Sequence, residues 1–214
     1  MAARLADRLP TRTAGRDLAV GEADLIVLCV PDGAIAEVAA ALPVGPWIAH
    51  TSGATGLAAL DPHERRFSLH PLQTFTAELG PEQFDGAWAA ITAETDEGLA
   101  AARDLAGLLG LQPFELDDED RPVYHAAAAF ASSFLVTVHE VASELMEAAG
   151  APPEALEPLM RRTMANGFRH TGPLVRGDWE TIERHRQVLR ERRPQLLPLY
   201  EALTEATATL LKVR

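Results

Sequence analysis

Five short strand-like runs between Ala23 and Leu116, read together as apolar strands without sustained alternation, constrain the fold of this chain more than any other feature of its sequence. They are Ala23–Val30, Trp47–His50, Phe67–His70, Ala87–Thr92 and Gln112–Leu116. Strands without alternation must be covered on both faces of their sheet. Helical spacing fills the gaps, at Ile35–Leu42 and at Asp96–Leu109, where Asp96 is a possible N-cap and Gly110 a stop. Strands separated by helices give the doubly wound α/β pattern.

The pattern ends at the acidic run Asp117-Asp118-Glu119-Asp120, which is read as the domain boundary, dividing the chain into 1–118 and 119–214. Everything beyond reads helical. One long, largely buried helix is expected over Pro122–Ala149, ending at Gly150, and another over Pro153–Phe168. A loop follows over His170–Gly177. Asp178 then starts a helix to about Arg193, and Pro194 separates it from a last helix that runs to the C-terminus.

The charge balance narrows the partners. Net charge is −12, which disfavours nucleic acid, because phosphate binding needs clustered Lys and Arg. The single cysteine, Cys29, allows no internal disulfide and reads as a buried structural thiol. The N-terminal stretch Met1–Pro10 is amphipathic and charged, unlike a signal peptide. The longest apolar run, Ala126–Val138 between His125 and His139, is shorter than a membrane span. A cytoplasmic protein without a membrane partner is expected.

Three turns follow apolar strands: Pro31-Asp32-Gly33, His50-Thr51-Ser52-Gly53 and His70-Pro71-Leu72-Gln73. In an open α/β sheet, ligands bind beyond the carboxyl ends of the strands. Turn chemistry alone also accounts for each of them. On the expected long helix, His125, Ser132 and His139 recur every seven residues and drift by only about 40° in all. Ser133 lies beside them. Farther on, Arg176 and Asp178 flank Gly177, with His185 seven residues after Asp178. Arg176 suits an anionic substrate group, and Asp178 suits either that space or a helix cap. Seven histidines raise the question of a metal, but none forms His-Glu-x-x-His.

Four segments in order carry a family resemblance: His50-Thr-Ser-Gly-Ala54, His70-Pro-Leu-Gln-Thr-Phe75, Tyr124-His-Ala-Ala-Ala128 with Phe130-Ala-Ser132, and Gly172-Pro173 with Arg176-Gly-Asp178 and His185. They resemble a family of Rossmann-like NADP oxidoreductases with a C-terminal helical domain of unknown function. That family is similar to pyrroline-5-carboxylate reductase and, more loosely, to the 6-phosphogluconate dehydrogenase group. The resemblance implies an α/β fold, with a truncated Rossmann-like domain before an all-α C-terminal domain that helps form a homodimer. It implies NADP as cofactor. Pro31 and Asp32 would border the nicotinamide ribose, and Thr51, Ser52 and Gly53 would lie near the nicotinamide. His70, Tyr124, His125, Ser133, Arg176, Asp178 and His185 would serve substrate in a cleft between the domains. Of these His125 is read as the proton donor, because imidazole as a residue type suits proton transfer near neutral pH.

The chain departs from that family in two places. Ser133 stands where an Asn is expected. The family also opens with a strand, a Gly-x-Gly-x-x-Gly turn, a helix and a second strand, and no such turn occurs in this sequence. That turn normally supplies the N–H groups that bind pyrophosphate. The run Leu25–Val30 is then expected at a sheet edge, protected by upstream sequence, by a dimer partner or by the N-terminal segment. Two functions lead, ahead of a metal-dependent hydrolase built on the histidines. One is an NAD(P)-dependent oxidoreductase of a small carbonyl or imine compound. The other is a non-catalytic ligand-binding or dimerisation module derived from one.

Overall fold

A computed structural model describes residues 6–9, 13 and 23–213. The chain divides into two compact units, 1–134 and 135–214, which are taken in turn. Most of Met1–Pro10 lies outside the described residues. Within the described part, Arg8 donates to Asp85 at 2.6 Å and to the Leu109 carbonyl at 2.9 Å.

The first unit is built on five strands: β1 (Leu25–Leu28), β2 (Trp47–His50), β3 (Arg66–Leu72), β4 (Trp88–Thr92) and β5 (Gln112–Glu115). They lie side by side in chain order. β1, β2 and β3 are mutually parallel, with Val27 beside Ala49 and Ala49 beside Phe67. β4 then runs antiparallel to β3, with Ser68 opposite Thr92, and β5 is parallel to β4. The sheet is therefore mixed, which the lack of alternation did not reveal. No helix separates β3 from β4; a short 3-10 turn at Pro81–Phe84 serves instead, and a connection of this kind lets the chain reverse beside its own strand.

Side chains leave a strand on alternate faces, and here the two faces differ in kind. Ala49, Phe67, Leu69, Ala89 and Ile91 point to one face, where α2 (Asp96–Leu108) covers them with Ala102, Leu105 and Ala106. Phe67 is wholly buried, and cutting such a side chain to Ala costs about 3–5 kcal/mol. On the other face α1 (Ile35–Ala40) and the 3-10 turn Leu57–Leu60 cover only the β1–β2 side, with Ile35, Ala39, Ile48, Leu57 and Leu60. The rest of that face carries His50, Ser68, His70, Ala90 and Thr92, a largely polar track. The N-cap of α2 is Thr95, whose hydroxyl accepts from the Gly98 N–H, and not Asp96. Asp96 falls in the first turn, where its charge favours the helix dipole. The helix stops as expected at Gly110, which has φ +76°.

The long helix expected over Pro122–Ala149 is two helices, α3 (Arg121–Ala131) and α4 (Ser133–Ala148). Ser132 leaves the helical region with φ −123° and ψ −89°. The hydroxyls of Ser132 and Ser133 both turn back to carbonyls four residues earlier, on Ala128 and Ala129. Paired serines bonding backwards in this way bend or break helices. The stripe through His125, Ser132 and His139 is thereby interrupted. Nor are the helices largely buried: Arg121 is the one buried residue on α3, and α4 has none. The 31-residue helical stretch Asp118–Ala148 is long and apolar enough, by length and composition, to cross a membrane. The acidic run, expected to separate the domains, lies inside the first unit, whose limit is 134.

In the second unit, α5 covers Leu156–Ala165 after a 3-10 turn at Pro153–Ala155, ending before the expected Phe168. The expected loop contains a single helical turn, α6 (Pro173–Arg176). α7 (Trp179–Arg192) and α8 (Leu197–Val213) flank a 3-10 turn that starts at Pro194. Only Ile182, Leu189 and Thr204 are buried among the described residues of this unit. Val136, Leu159, Met164 and Phe168 are exposed.

Candidate functional site

The site grows out of the polar track. β1 and β2 end in turns at their carboxyl ends, and β3 carries His70 toward the same end. After β1, Pro31 leads into a 3-10 turn beginning at Asp32. After β2, Ser52 organises its own turn. Its hydroxyl donates to the Asp32 carboxylate at 2.7 Å and accepts from the Thr55 N–H at 3.0 Å. The Ala54 N–H reaches the same oxygen at 3.2 Å. Asp32 is exposed, so its carboxylate keeps acceptor capacity for a ligand. Thr51 is half-buried and hydrogen-bonds the Cys29 thiol, whose pKa burial raises.

Gly53 lies flat against the His70 ring. A Cβ there would sit 2.8 Å from both Cε1 and Nε2 of His70, so only glycine allows this approach. The other side of the His70 ring meets α3. His70 Nδ1 and the Tyr124 hydroxyl are 2.6 Å apart, and the two rings pack edge to face. Tyr124 also packs against Phe114 of β5, with ring centroids 5.9 Å apart. Burial is the main cause that lowers the His70 pKa to about 4, helped by His125 and Arg121 and opposed by Asp32. Burial likewise raises the Tyr124 hydroxyl to about 12. At neutral pH the pair is therefore an uncharged imidazole beside an uncharged phenol.

Beneath the pair lies Arg121, 1% exposed. Its guanidinium donates to Asp118 at 2.6 Å, to the Ser52 carbonyl at 3.2 Å and to Thr92 at 2.8 Å, and it also bonds the Ser68 hydroxyl. A buried charge is tolerated only with such partners. Asp118 in turn accepts from the Leu57 N–H at 2.7 Å. A Cβ on Gly56 would meet that carboxylate at 2.9 Å. One ion pair thus ties the start of α3 to two strands, β3 and β4, and to two turns, at Ser52 and at Leu57. Beside it His50 is wholly buried, accepts from the Ser52 N–H at 3.3 Å and is held near pKa 4 by burial and by Arg121. Its Nε2 makes no hydrogen bond of ordinary geometry.

Of the residues singled out from sequence, Pro31, Asp32, Thr51, Ser52, Gly53, His70 and Tyr124 come together at this crest. His125 is exposed, its ring centroid 6.4 Å from that of His70, and no hydrogen bond fixes it among the described residues. Ser133 is exposed and bonds the Ala129 carbonyl. The remaining three lie in the second unit. Arg176 is exposed at the end of α6. Asp178 is the N-cap of α7, and both its oxygens are engaged by Thr181, at 3.1 and 2.8 Å. His185 Nδ1 lies 2.9 Å from the Tyr200 hydroxyl, beside a groove of about 300 Å³ lined by Leu174, Ile182 and Leu203. Sequence reasoning missed Arg121, Ser68 and Thr92, and named His50 only as part of a turn. The signal available was the polar residues Ser68, His70 and Thr92 set among the apolar residues of β3 and β4.

Comparison with solved structures places the fold among nicotinamide-dependent oxidoreductases of the Rossmann type. A protein described as a candidate NADP oxidoreductase from Bacteroides fragilis superposes with a TM-score of 0.75 at 25% identity, over 87% of this chain and 76% of its own. A Thermotoga maritima protein gives 0.72 at 24% identity, over 89% and 79%. The 1-pyrroline-5-carboxylate reductase of Streptococcus pyogenes gives 0.57 at 16% identity, over 89% and 78%, a likeness of fold alone. No curated protein sequence matches. Residues 87–207, more than half of the chain, match the family described as "Domain of unknown function (DUF2520)", and the chain belongs to that family.

Proposed function

We propose that this protein is a nicotinamide-dependent oxidoreductase of a small carbonyl or imine compound, with NADP as its cofactor. The observation that carries this reading is the gathering of Asp32, Ser52, Gly53, His70 and Tyr124 at the carboxyl ends of parallel strands, where such folds bind their ligands. The likeness to the candidate NADP oxidoreductase of Bacteroides fragilis supports it. The residues present fit the ribose–nicotinamide end of the cofactor. The exposed Asp32 carboxylate, steadied by Ser52, is an acceptor for a ribose hydroxyl. A reduced nicotinamide bound there supplies hydride. The alternative reading is a ligand-binding module without catalysis.

Titration with NADPH, followed by nicotinamide fluorescence, separates the two readings. Saturable binding that Asp32→Ala weakens about tenfold, the worth of one charge-assisted hydrogen bond, supports the reductase. No binding at millimolar NADPH would leave the module reading. We further propose that the protein works as a homodimer. The second unit buries too few residues to account for its own stability, and a second copy is the partner that would cover Val136, Leu159 and Phe168. Sedimentation at micromolar concentration is expected to give twice the chain mass. A stable monomer, or a species that partitions into lipid vesicles instead, rules the dimer out.

A further inference from the structure

We propose that Tyr124, positioned by His70, is the proton donor of this site, and that the group it serves is a carbonyl oxygen rather than an imine nitrogen. The inference rests on the oxidoreductase reading above and goes beyond it in naming the acid and the substrate class. Three observations carry it. The Tyr124 hydroxyl and His70 Nδ1 are 2.6 Å apart. The His70 ring cannot swing away, because Gly53 backs it at van der Waals distance and Tyr124 meets it edge to face. Tyr124 itself is wedged against Phe114. His125, by contrast, is exposed and held by no hydrogen bond among the described residues.

The direction of the hydrogen bond defines the role. With the proton on Nδ1, His70 donates to the tyrosine oxygen, and the phenolic O–H is free to point at a substrate. As the carbonyl carbon accepts hydride from reduced nicotinamide, the carbonyl π pair moves to oxygen. That oxygen takes the Tyr124 proton, and the Tyr124 O–H bond breaks. The resulting phenolate is stabilised by the Nδ1–H of His70 and regains a proton from water. The ketone or aldehyde ends as an alcohol, and the nicotinamide ends oxidised. His70 stays neutral throughout, as its lowered pKa requires. A phenol is a weak acid, matched to the strongly basic oxygen that develops on a carbonyl. An imine nitrogen is far more basic than a carbonyl oxygen, is partly protonated near neutral pH, and depends less on such a donor. The charged and titratable groups facing the pair are Arg121 and His125 on α3 and Asp32 on the β1 turn.

The test has two readouts on the full chain. In 15N imidazole spectra, His70 is expected as the Nδ1–H tautomer, with its Nδ1 signal displaced in Tyr124→Phe. An Nε2–H tautomer overturns the proposal whatever the activity. In NADPH oxidation assays with pyruvate, diacetyl and the cyclic imine 1-pyrroline, turnover of a carbonyl probe is expected. Tyr124→Phe should lower kcat about 10²–10⁴-fold while NADPH affinity is unchanged. His70→Asn, which keeps an N–H donor near the Nδ1 position, should retain far more activity than His70→Leu, and a merely structural histidine would not show that rescue. Active protein unaffected by Tyr124→Phe, or one that prefers 1-pyrroline, overturns this proposal and leaves the oxidoreductase reading standing. Failure of the wild type to bind NADPH overturns both. If NADPH binds and no probe is consumed, the tautomer decides.

Discussion

The two units of this chain handle buried groups in opposite ways. Among the described residues, the sheet unit holds eighteen of the twenty buried hydrophobic residues and most of the buried polar ones. The helical unit has almost no interior, and its polar contacts lie on its surface, in pairs such as Arg186–Glu201 and Arg190–Glu183. The contrast separates two sources of stability. A unit that buries charge needs every partner in place, because an orphaned group costs its full desolvation. A unit whose charges stay in water loses little with any one of them, and it depends on covering its apolar faces. The candidate site belongs to the first kind, where geometry is held rigidly by satisfied polar groups.

The largest test of this contrast is Arg121→Ala. Removing the guanidinium takes the donor from Ser68, Thr92, Asp118 and the Ser52 carbonyl at once, leaving Thr92 its bond to the Leu116 carbonyl and Asp118 its bond from the Leu57 N–H. Urea unfolding is expected to show a loss of about 3–5 kcal/mol. A loss under about 1 kcal/mol would place Arg121 with ordinary surface charges.

Acid should act on the units at different pH. His50 and His70 are held near pKa 4 in the folded protein, below the ordinary value of 6.5. The unfolded chain binds protons first, so this stabilising contribution is complete above about pH 6.5. It declines as pH falls and is lost by about pH 4. For His50, the more buried of the two, the loss is on the order of 3 kcal/mol. Asp178 and Glu183 in the helical unit are also lowered, by hydrogen bonds from Thr181 and Arg190 respectively. Their contribution is present above the ordinary carboxylate range and disappears only as pH falls through it. Hydrogen exchange at pH 7 and pH 5 should therefore show β2 and β3 loosening while α7 does not change. Equal loosening of both units would remove the distinction.

A smaller effect is expected at Gly56. Gly56→Ala drives a methyl group against the Asp118 carboxylate and should cost about 1–3 kcal/mol, the range for overpacking. Smaller still is Asp178→Ala. It removes the cap of α7 and should cost about 1 kcal/mol, read as a Tm shift in the helical unit that leaves the candidate site untouched. A larger effect on NADPH affinity than on Tm would instead return Asp178 to the site.

Much of the crest was legible in the sequence. The strand ends followed by Pro31-Asp32 and Ser52-Gly53, and the one that carries His70, mark the site because where a strand stops and what turn chemistry follows are local properties. The cap at Asp178 was legible for the same reason. Arg121 was not, since an arginine after four acidic residues reads as one more solvated charge until the chain folds it under Ser68 and Thr92. His125 drew attention as a histidine, but its neighbour Tyr124 is the residue that points at His70. The broken helix was hidden as well. Ser132-Ser133 is compatible with a continuous helix, and only the backward hydrogen bonds show that it ends.

By itself, then, the sequence determined the order of strands and helices, where turns fall, and which family the chain resembles. These follow from apolar runs, glycines and short motifs that act within a few residues. Tertiary structure decided that β4 reverses, that α3 and α4 part at Ser132, and that Arg121, His70 and Tyr124 share one face. Each of those outcomes depends on partners far apart in the chain, and the cost of leaving a buried polar group unpaired is settled only when all of them have met.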